Sequence, residues 1–127
     1  NLLDSDLVEV IGAVDKQVSR NTVTDGGGQD LFSDKVFLLS RVEVYGGGEG
    51  VIAGEVPYEY YSSMETAPTT AAVDWRIKYL GLSPRDWWLR SPTVSHSYDP
   101  RSVITTGHVS NHVATTSLGI SPACVII

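Results

Sequence analysis

Near the start of the chain, Leu7, Val10, Ile11, Val14 and Val18 recur every three or four positions, the spacing that gathers side chains on one face of a helix. Asp6 followed by Glu9 has capping-box spacing, so the pattern predicts an amphipathic scaffold helix from Asp6 to about residue 19. Gly12 inside it would weaken the helix by about 1 kcal/mol relative to Ala, a cost that close packing would explain. Residues 21–34 are polar, with Gly26, Gly27 and Gly28 between Asp25 and Asp30, and read as a loop. The carboxylates there raise the question of calcium. The stretch lacks the alternating ligands and the twelfth-position Glu of an EF-hand, so no metal is expected.

Residues 36–39 form a short apolar run, and Ser40 with Glu43 repeats the capping-box pattern, so a strand is predicted to lead straight into a short helix. Residues 46–54 (GGGEGVIAG) are loop by composition. Gly48, Gly50 and Ala53 have dinucleotide-fingerprint spacing, but Pro57 follows closely and no βαβ unit of sufficient length is available, so the match is chance. Tyr58, Tyr60 and Tyr61 could offer flat faces to a sugar or anchor a loop on the core; the anchor is the preferred reading. Residues 75–92 hold all three tryptophans, Trp75, Trp87 and Trp88, which are expected to bury much of the apolar area of so small a chain. Arg90, between two apolar stretches, is expected to be a structural donor to loop carbonyls.

Residues 93–118 differ in kind. Ten of the 26 are Ser or Thr, all three histidines fall here, and Lys, Glu and Gln are absent. Val103, Val109 and Ala114 recur around a turn at Gly107, as in two short strands with polar residues facing outward. A rigid frame carrying small polar side chains is a good recipe for a binding surface. A catalytic reading finds less support. His108 and His112 stand four apart, a metal pairing only on a helix, which the β-branched composition and Gly107 argue against. His96, Asp99, His108 and His112 together are the best candidates for an enzyme or metal site, but no HExxH order and no Gly-x-Ser-x-Gly elbow accompany them. Ser110 is near His108 and His112 only in sequence. Cys124, in the apolar terminal run, reads as a buried inert thiol.

Composition narrows the classes. The chain has 127 residues, 42% apolar and 19% charged, which suits one domain with a core and argues against disorder. No apolar run approaches the roughly 20 residues of a membrane-spanning helix. Nine Lys and Arg against fifteen Asp and Glu give a net charge of -6 with no basic run, so nucleic acid is not an expected partner. A single cysteine excludes an internal disulfide and Cys-rich zinc sites. The chain begins at Asn1 without a signal-peptide pattern and is expected to be the C-terminal part of something longer, or a trimmed piece.

Several segments together carry a resemblance. DKVFLLSRVEVYG (34–46), RIKYL (76–80), WWLRSP (87–92), the Val103 and Gly107-x-Val109 frame, GISPACVI (119–126) and the opening NLLDSDLVEVIGAV resemble a family of uncharacterised domains of phages and gut bacteria. Those domains look C-type-lectin-like and related to the formylglycine-generating-enzyme fold, and some look like the variable proteins of diversity-generating retroelements. In the latter, a reverse transcriptase with adenine-directed errors rewrites codons near the C-terminus. The resemblance implies a single α+β domain of C-type-lectin-like fold, with two helices on a small twisted antiparallel sheet whose last strand includes residues 123–127. It implies a frame of Trp87, Trp88, Leu89, Arg90, Ser91, Pro92, Val103, Gly107, Val109, Ala114, Ser117, Gly119, Pro122, Ala123 and Cys124. The display positions would be Thr93, Val94, Ser95, His96, Tyr98, Asp99, Pro100, Ser102, Ile104, Thr105, His108, Ser110, Asn111, His112, Thr115, Thr116 and Leu118. Animal C-type lectins hold sugar through calcium with Glu-Pro-Asn and Trp-Asn-Asp sequences, and neither occurs here, so calcium-dependent binding is not implied. Formylglycine-generating enzymes work through cysteines, and a lone Cys124 cannot supply that chemistry.

The expected function is therefore non-catalytic binding, with no cofactor and no metal. The surface of residues 93–118, edged by the Tyr58, Tyr60 and Tyr61 patch, would engage a protein or glycan on another cell. The expected location is extracellular, on a phage particle or bacterial cell surface. The alternatives are a fixed lectin-like binding or structural module of a phage tail or cell surface, and an enzyme or metal protein built on the histidines.

Overall fold

The structure, a computed structural model, describes residues 4–62 and 74–127. The first three residues of the opening motif lie outside the described residues. Within them the chain is mixed α and β, with several small antiparallel sheets and a few short helices. The first segment departs from the predicted long helix. Helix α1 covers only Ser5–Val10, capped by Asp4, whose side chain accepts from the Asp6 N–H at 2.9 Å. Strand β1 (Ile11–Gly12) follows at once, and β2 (Val14–Ser19) pairs with β3 (Gln29–Asp34) as a hairpin. Two forces override the helical spacing. The β-branched Val10, Ile11, Val14 and Val18 favour extended backbone, and Gly12 lies so close to the chain end that a Cβ there would come within 2.5 Å of Ile127 Cγ2. In β2 the half-buried positions are Val14, Lys16 and Val18, a two-residue period in which lysine takes an inward place.

The hairpin also corrects the loop predicted for residues 21–34, which is confined to residues 20–28. Asn21 organises it, its Oδ1 accepting from the Val23 and Thr24 N–H groups at 3.0 and 2.8 Å, a side-chain turn of the kind that short polar residues favour. Strand β3 is exposed along its whole length, so no burial pattern marked it in the sequence.

The next junction agrees with the reading. Strand β4 (Val36–Leu38) runs through Ser40, the N-cap, into helix α2 (Arg41–Tyr45), and both halves of the capping box form. Helix α3 (Glu59–Ser62), the hairpin β5 (Lys78–Leu80) and β6 (Ser83–Arg85), and strand β7 (Trp87–Pro92) come next. β7 pairs with β8 (Pro100–Val103), and β8 with β9 (Val109–Asn111). The last strand, β10 (Pro122–Ile126), lies between β1 and β4, antiparallel to both.

One core joins these parts: Phe37, Leu39, Val44, Tyr61, Trp87, Leu89 and Val103. Strand β7 buries Trp87, Leu89 and Ser91 in alternation. Tyr61 anchors its loop in this core, as expected, while Tyr58 and Tyr60 are exposed. The three tryptophans do not share one fate. Trp87 is 1% exposed and its indole donates to the Arg76 carbonyl at 2.9 Å, Trp88 is half-buried, and Trp75 is exposed. Cys124 is also exposed, a correction to the buried thiol read from the apolar run. The alternation of β10 turns Ala123 and Val125 toward the core instead.

Candidate functional site

Residues 93–118 fold as the loops and strands carried by β7. Strands β8 and β9 bracket a turn over residues 104–108, where Gly107 has φ +79 and donates to the Ile104 carbonyl at 2.8 Å. That backbone region favours glycine. The Tyr45 hydroxyl fixes the turn from below by donating to the Gly107 carbonyl at 2.6 Å, and the Asp86 carboxylate accepts from the Thr105 N–H at 2.8 Å. At the far end, Gly119 bridges to Trp87: the Trp88 N–H donates to the Gly119 carbonyl at 3.0 Å, and the Gly119 N–H to Asp86 at 2.8 Å.

The structure separates the display positions into three groups. Ser95, His96, Tyr98, Thr105, His108, Thr115 and Thr116 are exposed. Val94, Asp99, Pro100, Ile104, Ser110, Asn111, His112 and Leu118 are half-buried. Thr93 and Ser102 are buried, at 4% and 0% exposure, and so cannot touch a ligand on this surface. Ser102 lies where alternation with the buried Val103 would turn a side chain outward, whereas Thr93 continues the inward series of Trp87, Leu89 and Ser91. The correction comes from pairing: Thr93 donates its N–H to the Asp99 carbonyl, and Ser102 sits mid-strand between Trp88 and Ser110. Of the frame positions, Trp87, Leu89, Ser91, Val103 and Gly107 are buried, whereas Ala114, Ser117, Pro122 and Cys124 are exposed.

The histidines take different partners. His96 Nδ1 lies 2.9 Å from Asp99 Oδ2, which also accepts from Asn111 at 3.0 Å. His108 lies beside the Thr106 hydroxyl at 3.2 Å. His112 Nδ1 is 2.9 Å from Ser102 Oγ, its Nε2 is 3.4 Å from Asp86 Oδ2, and its ring meets Trp88 edge to face. Among the described residues no three His, Cys, Asp or Glu side chains are grouped to hold a metal ion.

Two distant loops brace this face, and no motif or spacing marks either one. Thr22 donates its N–H and hydroxyl to the Val94 carbonyl at 2.9 and 3.0 Å. Glu49 accepts from the Ser95 N–H at 3.2 Å and pairs with Arg101. Burial pushes the Glu49 carboxyl upward, but the hydrogen bonds from Arg101 and the Ser95 N–H outweigh it and hold the group below its ordinary range. Both residues stand alone in polar loops, tens of positions from what they touch.

Beneath the face lies an ion network centred on Arg90. Its guanidinium donates to the Leu38 carbonyl at 2.8 Å, to Glu43 Oε2 at 2.5 Å and to Glu55, so in place of the loop carbonyls expected it bonds a strand carbonyl of β4 and two carboxylates. Lys16 reaches the other Glu43 oxygen at 2.6 Å and the Tyr58 hydroxyl at 3.0 Å. A cleft of about 550 Å³ opens over this network, and a smaller one of about 200 Å³ lies beside His96, Tyr98 and Asp99.

The fold and this face define a small mixed α and β domain with a polar surface held on a tryptophan-centred strand. The chain belongs to the family described as Domain of unknown function (DUF6273), which it matches over residues 1–127. No curated protein and no solved structure matches it. Among the described residues no helix is long and apolar enough to cross a membrane.

Proposed function

We propose that this chain is a non-catalytic binding domain of C-type-lectin-like fold that presents residues 93–118 to a protein or glycan on a target cell. The resemblance to variable proteins of diversity-generating retroelements makes that surface a diversifiable one, displayed outside the cell or on a phage particle. The observation that carries the reading is the division of labour along one segment. Seven display positions are exposed, while Trp87, Leu89, Val103 and Gly107 are buried, with the Gly107 carbonyl held by the Tyr45 hydroxyl. Such an arrangement lets surface side chains change without disturbing the core.

The histidines favour binding over catalysis for a geometric reason. Asp86, His112 and Ser102 stand in hydrogen-bonding sequence, but Ser102 is wholly buried, so no substrate carbonyl reaches its oxygen. His96 and His108 have their own separate neighbours.

Two measurements test the proposal. Substituting Ser95, Tyr98, Thr105, Thr115 or Thr116 singly should change stability by no more than about 0.5 kcal/mol, whereas Ser102→Tyr should cost well over 1 kcal/mol by overpacking. Thermal melts that show equal losses at both classes would remove the display surface. Sequencing the DNA around the gene tests diversification: a near-copy of the codons for residues 87–127, mismatched at adenines and beside a reverse-transcriptase gene, is expected. A window that is invariant between strains would leave the fixed lectin-like module in its place.

A further inference from the structure

We propose that the cleft beside Tyr98 is an anchor site for a cationic side chain of a protein partner, an arginine above all, received by the Asp99 carboxylate. The inference rests on the binding-surface reading and narrows it from a protein or glycan to a protein with a basic anchor.

At about 200 Å³ the cleft is smaller than the roughly 300–1,000 Å³ of small-molecule sites, so it suits one side chain rather than a whole ligand. Val18, Pro92, Pro100 and Ala114 give it apolar wall, beside polar Ser19, Asn21, Ser97 and Asp99. Ser19 donates to the Gly50 carbonyl and Asn21 to Asp25, so both are engaged within the chain, and Asp99 is the carboxylate that meets an amphipathic stem ending in a positive charge. Arg90 also borders the cleft, but its guanidinium is taken up by Glu43, Glu55 and the Leu38 carbonyl. The chain as a whole carries a net charge of -6, complementary to a basic partner.

Asp99 itself is incompletely satisfied. Oδ2 takes His96 and Asn111, while Oδ1 is buried with no hydrogen-bond partner among the described residues. A buried carboxylate oxygen without a partner is costly. The His96 side chain is 51% exposed, so its ring can swing off Asp99 Oδ2 and leave that oxygen to a guanidinium N–H. Tyr98, 62% exposed, stands ready to stack on the incoming group. In this arrangement His96 holds the place that the partner's cation takes.

The test titrates the isotopically labelled protein with acetyl-arginine amide, its neutral isostere acetyl-citrulline amide, and a methyl glucoside, at about pH 8, where an ordinary imidazole is neutral. Arginine should shift the amides of Tyr98, Asp99 and Asn111 saturably, and citrulline and the glucoside should not. Asp99→Asn should weaken arginine binding about tenfold, the scale of one charge-assisted hydrogen bond. Removing the competing ring in His96→Ala should tighten it severalfold. Citrulline binding as well as arginine, the glucoside saturating the same amides, or an Asp99→Asn protein with an unaltered spectrum and undiminished affinity would each overturn the proposal. Should Asp99→Asn unfold, His96→Ala decides, and unchanged or weaker affinity there refutes the displacement. These failures leave the display surface standing, since that reading depends on the substitution and locus measurements alone.

Discussion

Arg90→Met is expected to destabilise the domain by about 3–5 kcal/mol at neutral pH, the range found when one partner of a buried ion pair is removed. Arg90 and Glu43 expose only 9% and 4% of their side chains, and the change takes the guanidinium from two carboxylates at once, leaving Glu43 with Lys16 and the Ser40 N–H and depriving Glu55 of its ion pair. For a fold of this size that is a large share of a total stability of roughly 5–15 kcal/mol. The pH dependence identifies the cause. Burial pushes the Glu43 carboxyl up, but hydrogen bonds from Arg90, Lys16 and the Ser40 N–H outweigh it and hold the group below its ordinary range. A lowered carboxylate contributes stability that is present above the unfolded value and is lost as pH falls through the folded one. Without Arg90 only Lys16 and the Ser40 N–H oppose the burial cost, so Glu43 moves upward from its place in the parent and protonation relieves the variant sooner. Urea unfolding of both proteins should show a gap that is widest at pH 7 and narrows toward about pH 4. A gap that is the same at both pH values would assign the loss to packing rather than charge.

Trp87→Ala should cost a comparable 3–5 kcal/mol, about what a fully buried aromatic loses on truncation. Its ring belongs to the core cluster with Leu89, Val103 and Val44, and its indole donates to the Arg76 carbonyl, so the variant opens a cavity and removes a buried hydrogen bond together. Trp88→Ala should cost less, because Trp88 is half-buried and meets His112 edge to face. Trp75→Ala should cost least, since nearly half of that residue is exposed. Calorimetric melting of the three variants gives the order directly. If Trp75→Ala melted as low as Trp87→Ala, the placement of the core on β7 would be wrong.

What could be read from the chain was local. The capping box at Ser40 and Glu43 brings donor and acceptor together within one turn, so its spacing alone shows it. The Gly107 turn was legible for the same reason. The first segment misled because valine and isoleucine at helical spacing are also strand formers, and because the inward residue of β2 that breaks the tie is Lys16, which reads as solvent-facing. Its partner Glu43 lies 27 positions away and cannot be seen as such from the sequence. At the surface, polar composition marked the right segment but could not tell Ser95 from Ser102. That distinction is made by strand pairing, which buries one and leaves the other out.

Strand β10 fits between β1 and β4 and joins residues roughly 85 to 115 positions apart. Such distant pairing forms late, because the whole intervening chain must be brought to order first. The fold is therefore a clasp whose last piece follows the polar window. During synthesis, β1 and β4 keep bare edges until that window has been threaded and arranged. A window sequence that cannot settle on β7 leaves the clasp open, and an open clasp offers unpaired backbone to proteases and to other chains. Closure of the clasp is therefore a readout of whether residues 93–118 have packed, because the strand that covers both edges is the one that follows them.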